Sequence, residues 1–210
     1  METLEQMKAA VDAIFLDGMN MIVNHGYAYT PEAVEAPGWA FYASSHISHP
    51  NTWWPYYKEL GKYIQTVCAF LRRGRNVAEV AVYLPQADVW SQNSIGDLHM
   101  AMKLEEYIGW DTVNNLSRSG YYFDYINDEA LTTVGEIGGG GLQINGNVYR
   151  VIILPEVHRI PLDTALKLKE FVEHGGTAVA AGCVPDRGCG LLSMGETWSL
   201  VREAMGKVFS

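Results

Sequence analysis

Three cysteines in 210 residues, Cys68, Cys183 and Cys189, are too few and too scattered for a disulfide framework, and no Cys/His spacing matches a zinc site. Long apolar runs are missing too. No stretch is apolar enough to span a membrane, and Met1–Glu5 lacks the basic and apolar segments of a secretory leader. A longer polypeptide would carry its leader elsewhere. Positive charge is scarce: 15 basic residues face 24 acidic ones, for a net charge of −9. The one basic cluster, Arg72-Arg73-Gly74-Arg75, falls where a helix is expected to end and complements its dipole. Nucleic acid, which needs a basic surface, is therefore excluded as a partner. What remains is ordinary for a globular protein, 48% apolar and 19% charged, and long enough to bury a real core.

Aromatic residues are concentrated in one place. Nine aromatics and three of the six histidines fall between His25 and Tyr57, a segment that also holds Pro31, Pro37, Pro50 and Pro55 and two glycines. So many breakers make most of it loop, and rings on a loop have little core of their own to fill. A sugar suits such a surface: its C–H faces pack on Trp and Tyr, and its hydroxyls need His, Asn or carboxylate partners. The alternative is a long, well-packed connection between two elements.

Around that loop the chain reads as follows. Leu4, Met7, Val11 and Ile14 recur at helical spacing with Phe15 beside them, and Gly18 stops the helix. Met19 to Val23 is a short apolar run, expected as a buried strand ending in Asn24-His25-Gly26-Tyr27, the position where α/β proteins put their sites. A second helix is expected from about Thr52 to Arg73, with Leu60, Ile64, Val67 and Leu71 inward and Tyr56, Tyr63 and Phe70 widening the stripe. Residues 1–74 thus read as helix, strand, loop, helix, too little to bury both faces of a parallel sheet, like the end of a barrel whose other strands are absent.

Residues 77–84 read as a strand, followed by a loop with Trp90, Ser91 and Gln92 and a helix capped by Asp97 with Leu98, Ala101, Leu104 and Ile108 inward. Tyr121–Ile126 is a strand and Asn127–Leu131 a short helix. Gly138–Gly141 is a turn that lacks the context of a phosphate loop, and Asn145-Gly146 signals a hairpin. Tyr149–Pro155 is the most strand-like run. Helix Leu162–Glu173, strand Thr177–Ala181 and a last helix from about Glu196 to Val208 complete the alternation. The expected class is α/β: a flavodoxin-like parallel sheet over 76–210.

Several ordered motifs carry a family resemblance: Asn24–Pro31, Pro37-Gly38-Trp39 with Phe41-Tyr42, Thr52-Trp53-Trp54, Gly74–Val80, Asp124–Asn127, Tyr149–Pro155 and Gly175-Gly176-Thr177. Together they resemble the C-terminal part of the catalytic region of glycoside hydrolase family 106, the α-L-rhamnosidases. The second half also resembles the amidotransferase-like domain that follows the barrel in several β-galactosidases. The resemblance implies an (α/β)8 barrel followed by a flavodoxin-like domain, inverting hydrolysis of a glycoside and calcium near the sugar. On that pattern residues 1–74 are the last barrel unit. The two catalytic carboxylates belong to strands outside this chain, which alone is expected to be catalytically silent. An inverting pair flanks the scissile bond with room for water between, and Glu32 and Glu35, the only acids in the aromatic loop, read as solvated.

The substrate-binding candidates are His25, Asn24, Tyr27 and Trp39. His25 is read as hydrogen-bonding a sugar hydroxyl or a backbone carbonyl, and Asn24 as doing either. Tyr27 and Trp39 form a stacking wall or sit buried with their polar tips satisfied. Trp53 and Trp54 are expected to pack partly under the loop, with His46 and His49 flanking a turn. Cys183 reads as a small buried residue, because no histidine lies downstream of His174 to serve as its base and Pro185 makes a poor nucleophile turn. His158 and His174 are expected at element ends. Residues 76–210 could otherwise serve as a non-catalytic packing or homo-oligomerisation module, or as a free-standing thiol enzyme.

Overall fold

A computed structural model describes residues 2–43, 45–94, 96, 100–191 and 194–210. The chain divides into two compact units, Met1–Asn76 and Val77–Ser210.

The first unit rests on two helices, α1 (Leu4–Leu16) and α2 (Trp54–Leu71). Thr3 starts α1 with a capping box: its hydroxyl accepts from the Gln6 N–H at 3.2 Å, and Gln6 Oε1 accepts from the Thr3 N–H at 2.9 Å. Met7 and Val11 of α1 pack on Leu60, Ile64 and Cys68 of α2, with Phe15, Ile22, Trp53, Tyr57 and Tyr63 around them. Across the same pair Tyr63 donates to Asp12 at 2.6 Å. The inward stripes differ in detail from the expected ones. Phe15 turns in where Ile14 turns out, and Cys68 is buried while Tyr56, Phe70 and Leu71 are exposed.

Met19–Val23 is not a strand. It has no regular secondary structure, with Met19, Met21 and Val23 exposed and only Ile22 packed on the helices. An apolar run becomes a strand only where a neighbour bonds its backbone, and no β-ladder forms among the described residues of this unit.

The second unit has a four-stranded parallel sheet in the order β2-β1-β6-β7. Its strands are β1 (Val80–Tyr83), β2 (Phe123–Ile126), β6 (Val151–Glu156) and β7 (Thr177–Cys183). Between β1 and β2 run α3 (Gln86–Gln92), α4 (Met100–Ile108) and α5 (Trp110–Arg118). Helices α6 (Leu162–Glu173) and α7 (Met194–Val208) follow β6 and β7. One face of the sheet presents Ala81, Tyr83, Ile152 and Leu154 to Leu168 and Phe171 of α6 and Val201 and Met205 of α7. The other presents Val80, Val82 and Ile153 to Leu104, Ile108, Val113 and Leu116. Both faces are thus covered, as the continuous apolar runs of β1 and β6 require.

A three-stranded antiparallel sheet, β3 (Glu136–Gly138), β4 (Gly141–Ile144) and β5 (Asn147–Tyr149), intervenes between β2 and β6. Its second turn is the expected hairpin, with Asn145 and Gly146 at φ 49° and 84°. The glycine run turns out to be a second hairpin, since Gly139 and Gly140 also sit at positive φ (61° and 76°). The expected strand Tyr149–Pro155 is broken at Arg150 between two sheets, and Pro155 falls at the bulge of β6, past its pairing with β1.

Other differences are local. Trp90, Ser91 and Gln92 belong to α3 rather than a loop. Ala101 is exposed, and the Asp97 cap with Leu98 lies outside the described residues. The short helix after Asn127 runs on through a π-helical turn, Ala130–Val134.

Gly176 shows how tightly α6 meets β7. A Cβ there would lie 2.3 Å from the ring of Phe171, which is fully buried. Gly176→Ala is expected to cost about 1–3 kcal/mol through overpacking, read as a lower urea midpoint with an unchanged slope.

Candidate functional site

The aromatic loop builds an open cleft of about 410 Å³. His25, Tyr27, Tyr29, Trp39 and Phe41 line it with the backbone between them. Three of the four candidate residues, His25, Tyr27 and Trp39, are therefore brought together, with Tyr27 and Trp39 both more than half exposed. Asn24 is placed differently: its side-chain N–H donates to the Tyr57 hydroxyl at 2.7 Å, outside the lining. Burial pushes the pKa of Tyr57 up despite that bond, so the hydroxyl stays neutral. Neither Glu32 nor Glu35 lines the cleft.

The wall is held from behind by Trp53 and Trp54, which were expected under the loop, and by His49, Tyr57 and Thr30, which sequence reasoning did not assign to it. The Tyr27 hydroxyl and His49 Nδ1 are hydrogen-bonded at 2.9 Å. Tyr27 meets the Trp54 ring edge-on at 5.9 Å, and Trp54 stacks on Tyr57 at 5.6 Å and 5°. Trp53 ties the loop to the N-terminus through its indole N–H, which donates to the Glu2 carbonyl at 3.0 Å. His25 packs edge-on against Phe41 at 5.0 Å. Trp39 is fixed through its backbone: its N–H donates to the buried Thr30 hydroxyl at 3.1 Å. The preceding Gly38, at φ 82°, comes so close to Thr30 that a Cβ would sit at 2.8 Å. The sequence signal for this support was the spacing Trp53-Trp54-x-x-Tyr57, one helical turn that sets rings beside one another.

Chemically the cleft offers ring faces, one imidazole, two phenols and, among the described residues, no carboxylate. Those donors do not fit a calcium ion, which takes six to eight oxygens. Among the described residues no group of three or more His, Cys, Asp or Glu side chains could hold a metal.

A second constellation lies at the C-terminal ends of β6 and β7. The expectation that Cys183 lacks a histidine base, drawn from the absence of a histidine downstream of His174, is corrected, because His158 comes to it from upstream. Cys183 is half-buried, with Sγ 3.4 Å from His158 Nδ1, and His158 Nε2 lies 3.6 Å from Glu156 Oε1. Glu156 and Cys183 are register partners in the parallel ladder, which sets the three side chains together. The thiol nevertheless donates to the Val157 carbonyl at 3.2 Å. Burial, together with the carboxylates of Glu156, Asp88 and Asp186, pushes its pKa up.

A thiol so placed stays protonated at neutral pH and is a weak nucleophile. Alkylation of Cys183 by iodoacetamide is expected to run slower at pH 7.5 than that of a free thiol, and to rise with pH only above the usual thiol range. Cys189, pushed up to about 11 by burial, adds to the same trend. Because the folded chain holds these protons when the unfolded chain has lost them, stability is expected to fall as pH rises from about 9 towards 11. Urea midpoints across that range check the sign.

His174 caps α6 as expected, its Nδ1 2.8 Å from the Glu170 carbonyl. Past the ends of β1 and β6, near where open α/β sheets take ligands, Asp88 ties α3 to the segment after β6. The fully buried Asp88 accepts from the His158 N–H at 2.7 Å, from the Arg159 N–H at 3.0 Å and from the Arg159 guanidinium at 3.2 Å.

Comparison with known proteins bears on the whole chain. A protein of Formosa agariphila named "Putative beta-glucuronidase" is 27% identical over 177 residues, 84% of this chain and 14% of its own length. The solved rhamnosidase of Novosphingobium sp. PP1Y shares the fold with a TM-score of 0.66 and 24% identity, over 96% of this chain and 18% of that one. The chain thus spans less than a fifth of either. The family model of glycoside hydrolase family 106, α-L-rhamnosidase, matches residues 1–208, and the chain belongs to that family.

Proposed function

We propose that this chain is part of a longer glycoside hydrolase, in which the Asn24–Tyr57 segment forms one wall of the sugar site. The carrying observation is the cleft of His25, Tyr27 and Trp39: ring faces for a pyranose, an imidazole for a hydroxyl, and no acid pair to cleave the bond. The catalytic carboxylates then belong to other segments of the parent, and Met1–Asn76 to the end of its barrel. The exposed Met19–Val23 run would find its strand neighbours there.

The wall also discriminates between the two kinds of relative. No Lys or Arg lines it, so it offers no cation to a uronate carboxylate, while its ring faces suit the methyl group of a 6-deoxyhexose. A neutral rhamnoside is the favoured ligand.

The Val77–Ser210 unit acts as a flavodoxin-like packing module. Numbered among the parallel strands alone, its order is 2-1-3-4, the doubly wound order of that fold. The fully buried Asp88, bonded to His158 and Arg159 past the ends of β1 and β6, and the protonated Cys183 speak against an amidotransferase-like activity.

The test uses the 210-residue chain. Methyl α-L-rhamnoside is expected to shift the NMR signals of His25 and the Trp39 indole with a Kd of about 1–10 mM, methyl β-D-glucuronide is expected not to, and no turnover of aryl rhamnosides is expected. Sustained turnover would overturn the assignment of the acids to other segments. Equal binding of both sugars would overturn the preference.

A further inference from the structure

Strand β7 ends the parallel sheet, and among the described residues it pairs with β6 alone. Its seven residues, Thr177-Ala-Val-Ala-Ala-Gly-Cys183, include no charge and no proline. Edge strands that stay open in native proteins are guarded by such residues or kept short. The opposite edge fits that rule: β2 has four residues and carries Asp124. Strand β7 does not. Its burial is also that of a strand missing a neighbour. Val151 and Glu156 bracket four buried residues in β6, whereas no residue of β7 is fully buried and Val179 is 40% exposed.

The backbone groups that face away from β6 can be named. The Thr177 N–H donates to the Arg150 carbonyl on the β6 side, so by the two-residue period the N–H and C=O of Ala178 and Ala180 point outward. The helices say from which direction a neighbour would come. Helix α7 packs on α6, on the sheet face that α6 covers. In a right-handed series β6–α6–β7–α7, the chain leaving α7 arrives beside β7 on its outer side, running parallel to it.

We propose that the outer edge of β7 is a docking site for one further parallel strand, apolar and about five residues long, supplied by polypeptide beyond α7 in the longer enzyme. This rests on the reading of the chain as part of a longer hydrolase, but not on the sugar cleft, which lies in the other unit and is tested separately.

The experiment is amide hydrogen exchange at Ala178 and Ala180. It compares the 210-residue chain with the same chain extended by roughly 30 residues of its own reading frame, enough for a loop, a strand and a covering helix. In the 210-residue chain both amides are expected to exchange about 100-fold faster than Val179, and in the extended chain all three are expected to be protected alike. Continued fast exchange in the extended chain would overturn the proposal, as would a stop codon directly after Ser210. So would protection in the 210-residue chain that grows with concentration and disappears in Val179→Lys, because the occupant would then be a second copy.

Discussion

Replacing Asp88 by alanine is expected to lower the stability of the Val77–Ser210 unit by about 3–5 kcal/mol, the cost of breaking a buried ion pair from one side. The carboxylate is fully buried and accepts from two backbone N–H groups and the Arg159 guanidinium. Its removal leaves those N–H groups without their acceptor and the Arg159 side chain, only 25% exposed, without its counter-ion. Asp88→Asn keeps one acceptor oxygen and is expected to fall between the two. Urea unfolding followed by circular dichroism measures both. A loss below about 1 kcal/mol for the alanine variant would show that water replaces the carboxylate at little cost.

Replacing Trp39 by alanine is expected to weaken rhamnoside binding by about 10- to 30-fold, the usual effect of truncating an aromatic anchor. The loop should survive the change. Trp39 is anchored through its backbone N–H on Thr30, which alanine retains, and its side chain is more than half exposed. Tyr42→Ala is the control: Tyr42 is 94% exposed and does not line the cleft, so binding should not change. NMR titration with methyl α-L-rhamnoside reads both variants. A Trp39→Ala chain that binds as well as the parent would remove the stacking wall from the account.

What could be read from the residues divides along a physical line. Helix α6 was legible because Ala165, Leu168 and Val172 repeat at helical spacing and Gly175-Gly176 ends them, all within one local window, although it is Phe171 that is fully buried and Val172 only partly so. The Asn145-Gly146 hairpin was legible for the same reason, its turn chemistry being complete in two residues. Met19–Val23 misled because strand formation is decided by a neighbour, which no local pattern reports. The cleft was partly legible. Proline and glycine marked a loop dense in rings, and His25, Tyr27 and Trp39 do meet there. The contact of Tyr27 with His49, the diversion of Asn24 to Tyr57 and the meeting of Cys183 with His158 each join residues more than 20 positions apart. Their pairing follows from how the chain turns and registers in space.

The meander of β3, β4 and β5 stands where a crossover helix would otherwise lead from β2 to β6, and this bears on the order of folding. Its two tight turns need only neighbours in sequence, so it can close in about 1–10 μs. The pairing of β1 with β6 must wait until Val80 finds Val151 across everything between them. A folded meander shortens that search by delivering Val151 from the end of an already ordered ribbon. Gly140→Ala, at φ 76° in the first turn, should therefore slow refolding more than it speeds unfolding.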